Sequence, residues 1–352
     1  MFMVSLMLSL KWVVPNVLAV SPMPSKEDLK FIASTFRCVV VLAEKDELLY
    51  DINELRRMGP RVFRRSIPDF SAPNLVKLHR IVELVDYCEK PVLVHCTGGR
   101  GRSGTVAVAY LMLSKGMRYG EALAMARSVD PGFVESETQH RVLKLYDRLL
   151  SVVPRRLLSK AIEIGKKYDF GRGVEHAAKV LELSIELVKE LEREGAIKLS
   201  TDVEKAPYIA ATLHDIGVHH DPSDRHREYS YRMILKHGEE LNNACNCSVA
   251  GNSAVIARLH GRKDPVPENL DKELKIAIGI IRIADGFDYT LTQSVERIEV
   301  ARSSRGIEIK AHCIDDENLC EINIDRANTK KTLLEKVLDT EISIEMSNEE
   351  NY

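Results

Sequence analysis

The chain has 352 residues, enough for two domains that each bury a core without disulfides. Fifty basic residues against 52 acidic ones leave a net charge of −2, which excludes a dedicated nucleic-acid binder while leaving room for a local basic patch. No run is long and apolar enough to span a bilayer. The seven cysteines read as ordinary thiols of a reducing cytoplasm rather than a disulfide framework.

The apolar N-terminus lacks a basic leading segment and is broken by Lys11 and Pro15, so it reads as no targeting signal. Residues 8–21 give strand-like runs broken at Pro15–Asn16. Ser25 reads as the N-cap of a helix over Lys26–Thr35, and the β-branched run Cys38–Leu42 as a central strand. A short helix over Asp51–Met58 and a basic strand over Arg61–Arg65 follow. Prolines 68 and 73 then make residues 66–73 an irregular loop carrying Asp69. Asn74–Cys88 has one apolar stripe and reads as a helix.

Residues 91–105, PVLVHCTGGRGRSGT, organise this first half. An apolar strand turns at His95–Cys96 into a glycine-rich loop, Thr97, Gly98, Gly99, Arg100, Gly101 and Arg102, which feeds a buried helix over Val106–Leu113. Loop amides and the helix dipole then converge on one point as an anion cradle, and they favour the thiolate of Cys96, its nucleophilic form. Arg102 can hold two oxygens of the same anion with its guanidinium fork. Helices over Tyr119–Ser128 and Glu135–Leu150 close the domain, with Gln139 read as an exposed helix residue.

The spacing His-Cys, five residues, Arg-Ser resembles the signature of the protein tyrosine phosphatase superfamily, and the surrounding chain resembles its dual-specificity branch. The resemblance implies an α/β domain over residues 1–153, with a central, mainly parallel sheet flanked by helices. It implies phosphate monoester hydrolysis through a cysteinyl-phosphate, without a metal or other cofactor. Cys96 is then the nucleophile, Asp69 the general acid, and residues 97 to 102 the phosphate loop. His95 orders the loop, and Ser103 stabilises the departing thiolate. Phosphorylated protein is the favoured substrate, whether at tyrosine, serine or threonine. Arg100, a second loop cation, keeps a non-protein ester such as an inositol phosphate or an RNA 5′ end as the alternative.

Val153–Arg156 interrupts the helical pattern and marks a boundary. Beyond it come helical segments, notably Val174–Glu194, in which His176, His214–Asp215 and Asp285 stand out. These four resemble the metal set of the HD superfamily of phosphohydrolases, and the segments at His226, Ile256–His260 and Ile281–Asp288 resemble the C-terminal region of the exopolyphosphatase/guanosine-pentaphosphatase family. The resemblance implies a mostly α-helical metal-binding domain over 157–290 and an α+β tail over 291–346. It implies a divalent cation such as Mn²⁺, Mg²⁺ or Fe²⁺, with His226 and His260 serving a second metal or simply making surface hydrogen bonds. That family's actin-like domains are missing, so its polyphosphate hydrolysis does not carry over. The other reading of this half is a nucleotide-binding or homodimerising regulator. In the tail, alternation over Val295–Ile324 reads as strands, followed by a helix over Thr329–Leu338 and a strand over Glu341–Glu345.

Overall fold

The computed structural model describes residues 8–314 and 316–347. The start of the apolar N-terminal run thus lies outside the described residues. The chain forms two compact units, Met1–Arg148 and Leu149–Tyr352. Among the described residues, no helix is long and apolar enough to cross a membrane.

The first unit is built on a sheet of the strands β1 (Lys11–Val14), β2 (Leu18–Ser21), β3 (Cys38–Val41), β4 (Arg61–Arg64) and β5 (Val92–His95), in spatial order β1-β2-β5-β3-β4. β1 and β2 form an antiparallel hairpin whose turn holds Asn16 at φ 58°, a left-handed conformation that asparagine tolerates. The other three pairings are parallel. The fully buried runs of β2, β3 and β5 are what a sheet covered on both faces requires.

β5 is central, and His95 stands level with Ser21 of β2 and Val41 of β3. All three strands therefore end together, and the loop leaving β5 emerges at the carboxyl edge of the sheet, where open α/β sheets place their ligands. Leu29, Ile32 and Phe36, on and just after α1 (Leu29–Thr35), pack with Ala19, Val39 and Leu93. That helix begins three residues later than the sequence suggests, because the Asp28 carboxylate bonds the amide and hydroxyl of Ser25 and holds this stretch as a turn. α2 (Ile52–Arg57) is capped by Asp51, and α3 (Leu75–Tyr87) by Asn74. α4 (Gly101–Lys115) is buried over most of its length and starts inside the glycine-rich loop, so Arg102 and Ser103 belong to its first turn. α5 (Tyr119–Val129) and α6 (Glu137–Val152) follow.

The second unit opens on α7 (Arg155–Lys167) and α8 (Val174–Arg193). α9 (Ala206–Leu213) and a 3-10 turn at Ile216–His219 follow, then α10 (His226–Lys236), α11 (Gly238–Cys245), α12 (Ala250–Arg258) and α13 (Lys272–Gly286). A small sheet comes last: β6 (Val295–Ser303) antiparallel to β7 (Gly306–Cys313), which pairs in parallel with β8 (Ile342–Met346). Between β7 and β8 run α14 (Glu317–Lys330) and α15 (Thr332–Leu338).

Residues 317–324 are thus helical, although their alternation reads as a strand. Asp316 caps the helix by accepting from the amides of Asn318 and Leu319, and Cys320, Asn323, Ile324 and Ala327 fall on one buried helical face. The cysteine expectation is also corrected. Cys38–Cys88, Cys245–Cys247 and Cys313–Cys320 are paired as disulfides, leaving Cys96 as the free thiol. The strand start and helix end that bring Cys38 to Cys88 are 50 residues apart, so linear spacing does not reveal the pair.

Candidate functional site

Cys96 follows directly on β5 and is only 2% exposed. Its Sγ lies 3.3 Å from Ser103 Oγ and accepts a hydrogen bond from the Gly99 amide at 3.2 Å. The thiol therefore faces the first turn of α4, whose unpaired amides and dipole favour negative charge. The loop is shaped by close backbone approach. Gly99 adopts φ +70°, and a Cβ there would lie 2.4 Å from the Pro22 nitrogen. The Met23 amide donates to the Thr97 carbonyl at 2.9 Å, tying the loop to the segment after β2.

Arg102 folds back from α4 and is almost fully buried. Its Nη1 donates to the Ile67 carbonyl at 3.0 Å, and its Nη2 to Thr97 Oγ1 at 2.9 Å. Asp69, in the loop after β4, brings Oδ1 within 2.9 Å of Nη2 while its side chain stays 54% exposed. The structure therefore draws together Cys96, Ser103, Thr97 and Arg102, and joins Asp69 to them through the guanidinium.

Glu47 also belongs to this group, although its sequence context does not mark it. Its two carboxylate oxygens take both terminal nitrogens of Arg102 at 2.7 Å, and it accepts from the Thr97 hydroxyl and the Glu44 amide. Hydrogen bonding to Arg102 outweighs burial and holds the Glu47 carboxyl at about 2. The one available signal is topological. Glu47 sits in the charged run after β3, the parallel neighbour of β5, so both loops leave the same edge.

His95 is fully buried, and its Nε2 is 2.7 Å from the Tyr50 hydroxyl. Burial lowers its pKa to about 4, so it is neutral at pH 7. Arg100 reaches out of the loop to Asp130 at 3.2 Å. Asp130 also holds Lys11 and the Gly132 amide. Gln139 is buried rather than exposed. Its Oε1 accepts from the amides of Glu135 and Ser136, and its Nε2 donates to the Ser71 carbonyl at 3.2 Å. A helical period cannot report this, because the contacts come from the loop after β4 and from the turn before α6.

In the second unit the six singled-out side chains meet around one buried point. The Nε2 atoms of His176 and His214 are 3.2 Å apart, and His176 Nε2 is 3.4 Å from Asp285 Oδ1. Asp215 Oδ2 lies 3.7 Å from His176 and 3.6 Å from His214. Its Oδ1 lies 3.1 Å from His226 and 3.5 Å from His260. His226 and His260 are buried, which excludes the surface hydrogen-bonding alternative. Each ring is oriented from behind. His176 Nδ1 pairs with Asp288 at 2.8 Å, and the Nδ1 atoms of His214, His226 and His260 donate to the carbonyls of Ala211, Ser223 and Ala257. Burial lowers the His176 pKa, but Asp285 and Asp288 override it and raise the group to about 10. The group opens on a cavity of about 460 Å³ that also exposes Arg172, Arg227, Arg262, Lys263, Arg326 and Lys330.

Comparison with known proteins bears on the first unit. Residues 44–148 match the family described as "Dual specificity phosphatase, catalytic domain". The tyrosine-protein phosphatase cdcA of Emericella nidulans is 28% identical over 123 residues, 34% of this chain and 20% of that protein. The phosphatidylglycerophosphate phosphatase PTPMT2 of Arabidopsis thaliana is 34% identical over 83 residues, 23% of this chain and 36% of that protein. The crystal structure of Tk-PTP in the active form is 41% identical, covering 40% of this chain and 96% of that one, at a TM-score of 0.38. The chain spans 20% of the length of the first two curated relatives. The N-terminal region therefore carries a dual-specificity phosphatase catalytic domain.

Proposed function

We propose that the first unit hydrolyses phosphate monoesters on protein through a cysteinyl-phosphate at Cys96. The observation that carries this reading is a buried thiol that accepts the Gly99 amide and faces Ser103 at the start of α4, with the Arg102 guanidinium close enough to interact with it electrostatically. Cys96 thiolate attacks phosphorus in line, forming the S–P bond as the ester P–O bond breaks. Loop amides and Arg102 take up charge on the non-bridging oxygens as it redistributes. Asp69 gives its proton to the leaving oxygen. It then accepts one from the water that splits the S–P bond, and Ser103 Oγ stabilises the released thiolate. Glu47 fixes the guanidinium through both of its terminal nitrogens. Because Arg100 is engaged by Asp130, it adds little charge to the cradle, which favours a single phosphate on protein over a highly charged inositol phosphate. The test is hydrolysis of p-nitrophenyl phosphate in EDTA. Cys96→Ser should fall by roughly 10³-fold or more, and full residual turnover would end the thiolate mechanism.

A second reading, for the second unit, is a metal-dependent phosphohydrolase of HD type. His176, His214, Asp215 and Asp285 would hold a divalent cation, and His226 and His260 a second. In support, the donor atoms of His176, His214 and Asp215, and those of Asp215, His226 and His260, lie buried and within 4.8 Å of one another, close enough for each trio to hold a metal ion. With the Nδ1 atoms of His176 and His214 engaged, two Nε2 lone pairs face each other at 3.2 Å unless a proton or cation lies between them. Bound there, a divalent cation would supply Lewis-acid polarisation of a phosphoester and activation of water. The chain's own part is to present four imidazoles and two carboxylates, the rings fixed in orientation by Asp288 and the three carbonyls. Metal analysis after Mn²⁺ loading tests it: the parent should retain Mn²⁺ and Asp215→Asn should lose it. Absence of metal from the parent would leave the nucleotide-binding regulator as the better account.

A further inference from the structure

The tail of the second unit reaches its buried centre through one side chain. α13 and α14 pack so closely that a Cβ on Gly286 would lie 2.7 Å from the Ala327 Cα. Lys330 is three residues beyond Ala327 and so shares its helical face. It lands beside Asp285, the residue preceding that glycine. The Lys330 ammonium contacts Asp285 Oδ2 and is only 6% exposed. Across the cavity, Arg172 Nε contacts Asp215 Oδ2 at 2.8 Å. Each carboxylate that faces the centre is thus met by one cation, and the two cations come from different segments.

That pairing balances charge in the protein alone. A divalent cation on the same carboxylates would leave both side-chain cations in excess, and Arg262, Lys263 and Arg326 add to that excess at the cavity wall. An anion restores the balance. Arg172 is partly exposed, whereas Lys330 is sequestered with its charge directed at the centre. An ammonium on a flexible stem can turn from a carboxylate to a phosphate oxygen without moving its helix.

We propose that Lys330 is a substrate-binding residue of the second site, gripping a non-bridging oxygen of a phosphoester, so that α14 completes a site otherwise built from α8 to α13. This rests on reading the second unit as a metal-dependent phosphohydrolase. The test uses the full chain carrying Arg102→Met, which silences the first unit's anion site. The protein is loaded with Mn²⁺ and titrated with inorganic phosphate by calorimetry, with Mn²⁺ content measured alongside. Lys330→Met should weaken phosphate binding by about ten-fold at unchanged Mn²⁺ content, and Lys330→Arg should restore most of it. A loss under about three-fold in Lys330→Met, or loss of its Mn²⁺, would overturn the proposal and make Lys330 a structural counter-ion of Asp285. If the parent itself takes up no Mn²⁺, the metal reading fails separately. The metal-free pair then decides by the same three-fold criterion whether Lys330 is an anion contact.

Discussion

On the readings proposed above, the two sites solve one electrostatic problem in opposite ways. Around Cys96 the positive field is part of the fold: loop amides, the start of α4 and one guanidinium, with Glu47 and Asp69 arranged about that guanidinium. Around Asp215 the fold brings imidazole nitrogens and carboxylates, already met by Arg172 and Lys330, close enough to hold an added cation. In the first design specificity rests on backbone placement, which explains why Gly99 is pressed against Pro22. In the second, as proposed, it would rest on imidazole orientation, and each Nδ1 behind the centre is engaged.

Separating the two sites by single substitutions breaks or sharpens this contrast. Beyond its loss of EDTA-resistant turnover, Cys96→Ser should keep its full Mn²⁺ content. Asp215→Asn should lose Mn²⁺ yet keep EDTA-resistant turnover within about two-fold of the parent. Loss of both properties in either variant would merge the sites. Next in size is Asp69→Asn. Hydrolysis of an alkyl phosphate should slow by about 10²-fold, with a much smaller loss for an activated phenol, because only the poor leaving group needs the proton. Equal losses would remove Asp69 from the acid role.

The smallest effect is on stability. His95 has its folded pKa depressed to about 4 by burial, below its ordinary value of 6.5. The folded state therefore binds fewer protons than the unfolded state between these values. The stabilisation from keeping His95 neutral is complete above about pH 6.5 and is lost as pH falls through about 4, a loss on the order of 3 kcal/mol. Denaturant unfolding of the parent and of His95→Asn across this window measures the difference, and parallel pH profiles would contradict it.

Where one backbone period decided the structure, the sequence was readable. Val92–Val94 and Cys38–Leu42 are continuous apolar runs and became the central strands, and the glycine spacing after Cys96 marked the loop. Glu47 was not legible, because its partner lies 55 positions away in a neighbouring loop and no local pattern encodes a parallel pairing. Gln139 escaped for the same reason. Residues 317–324 misled because Leu319, Ile322 and Ile324 alternate loosely with polar residues, while the Asp316 cap and the close approach of α14 to Gly286 impose the helix. The histidines of the second unit were individually weak signals. Their meeting depends on the packing of α8, α9, α10, α12 and α13, which spacing suggests only through resemblance.

The hold that the segment after β2 keeps on the loop bears on where a minimal catalytic fragment can begin. The family match starts at residue 44. A fragment begun there would lack Pro22, which shapes the turn at Gly99, and Met23, which bonds Thr97. It would also lack Lys11, a partner of Asp130, and the strands β2 and β3 on either side of β5. An expressed phosphatase half that keeps its loop must therefore begin upstream of Lys11, well ahead of the stretch by which its family is recognised.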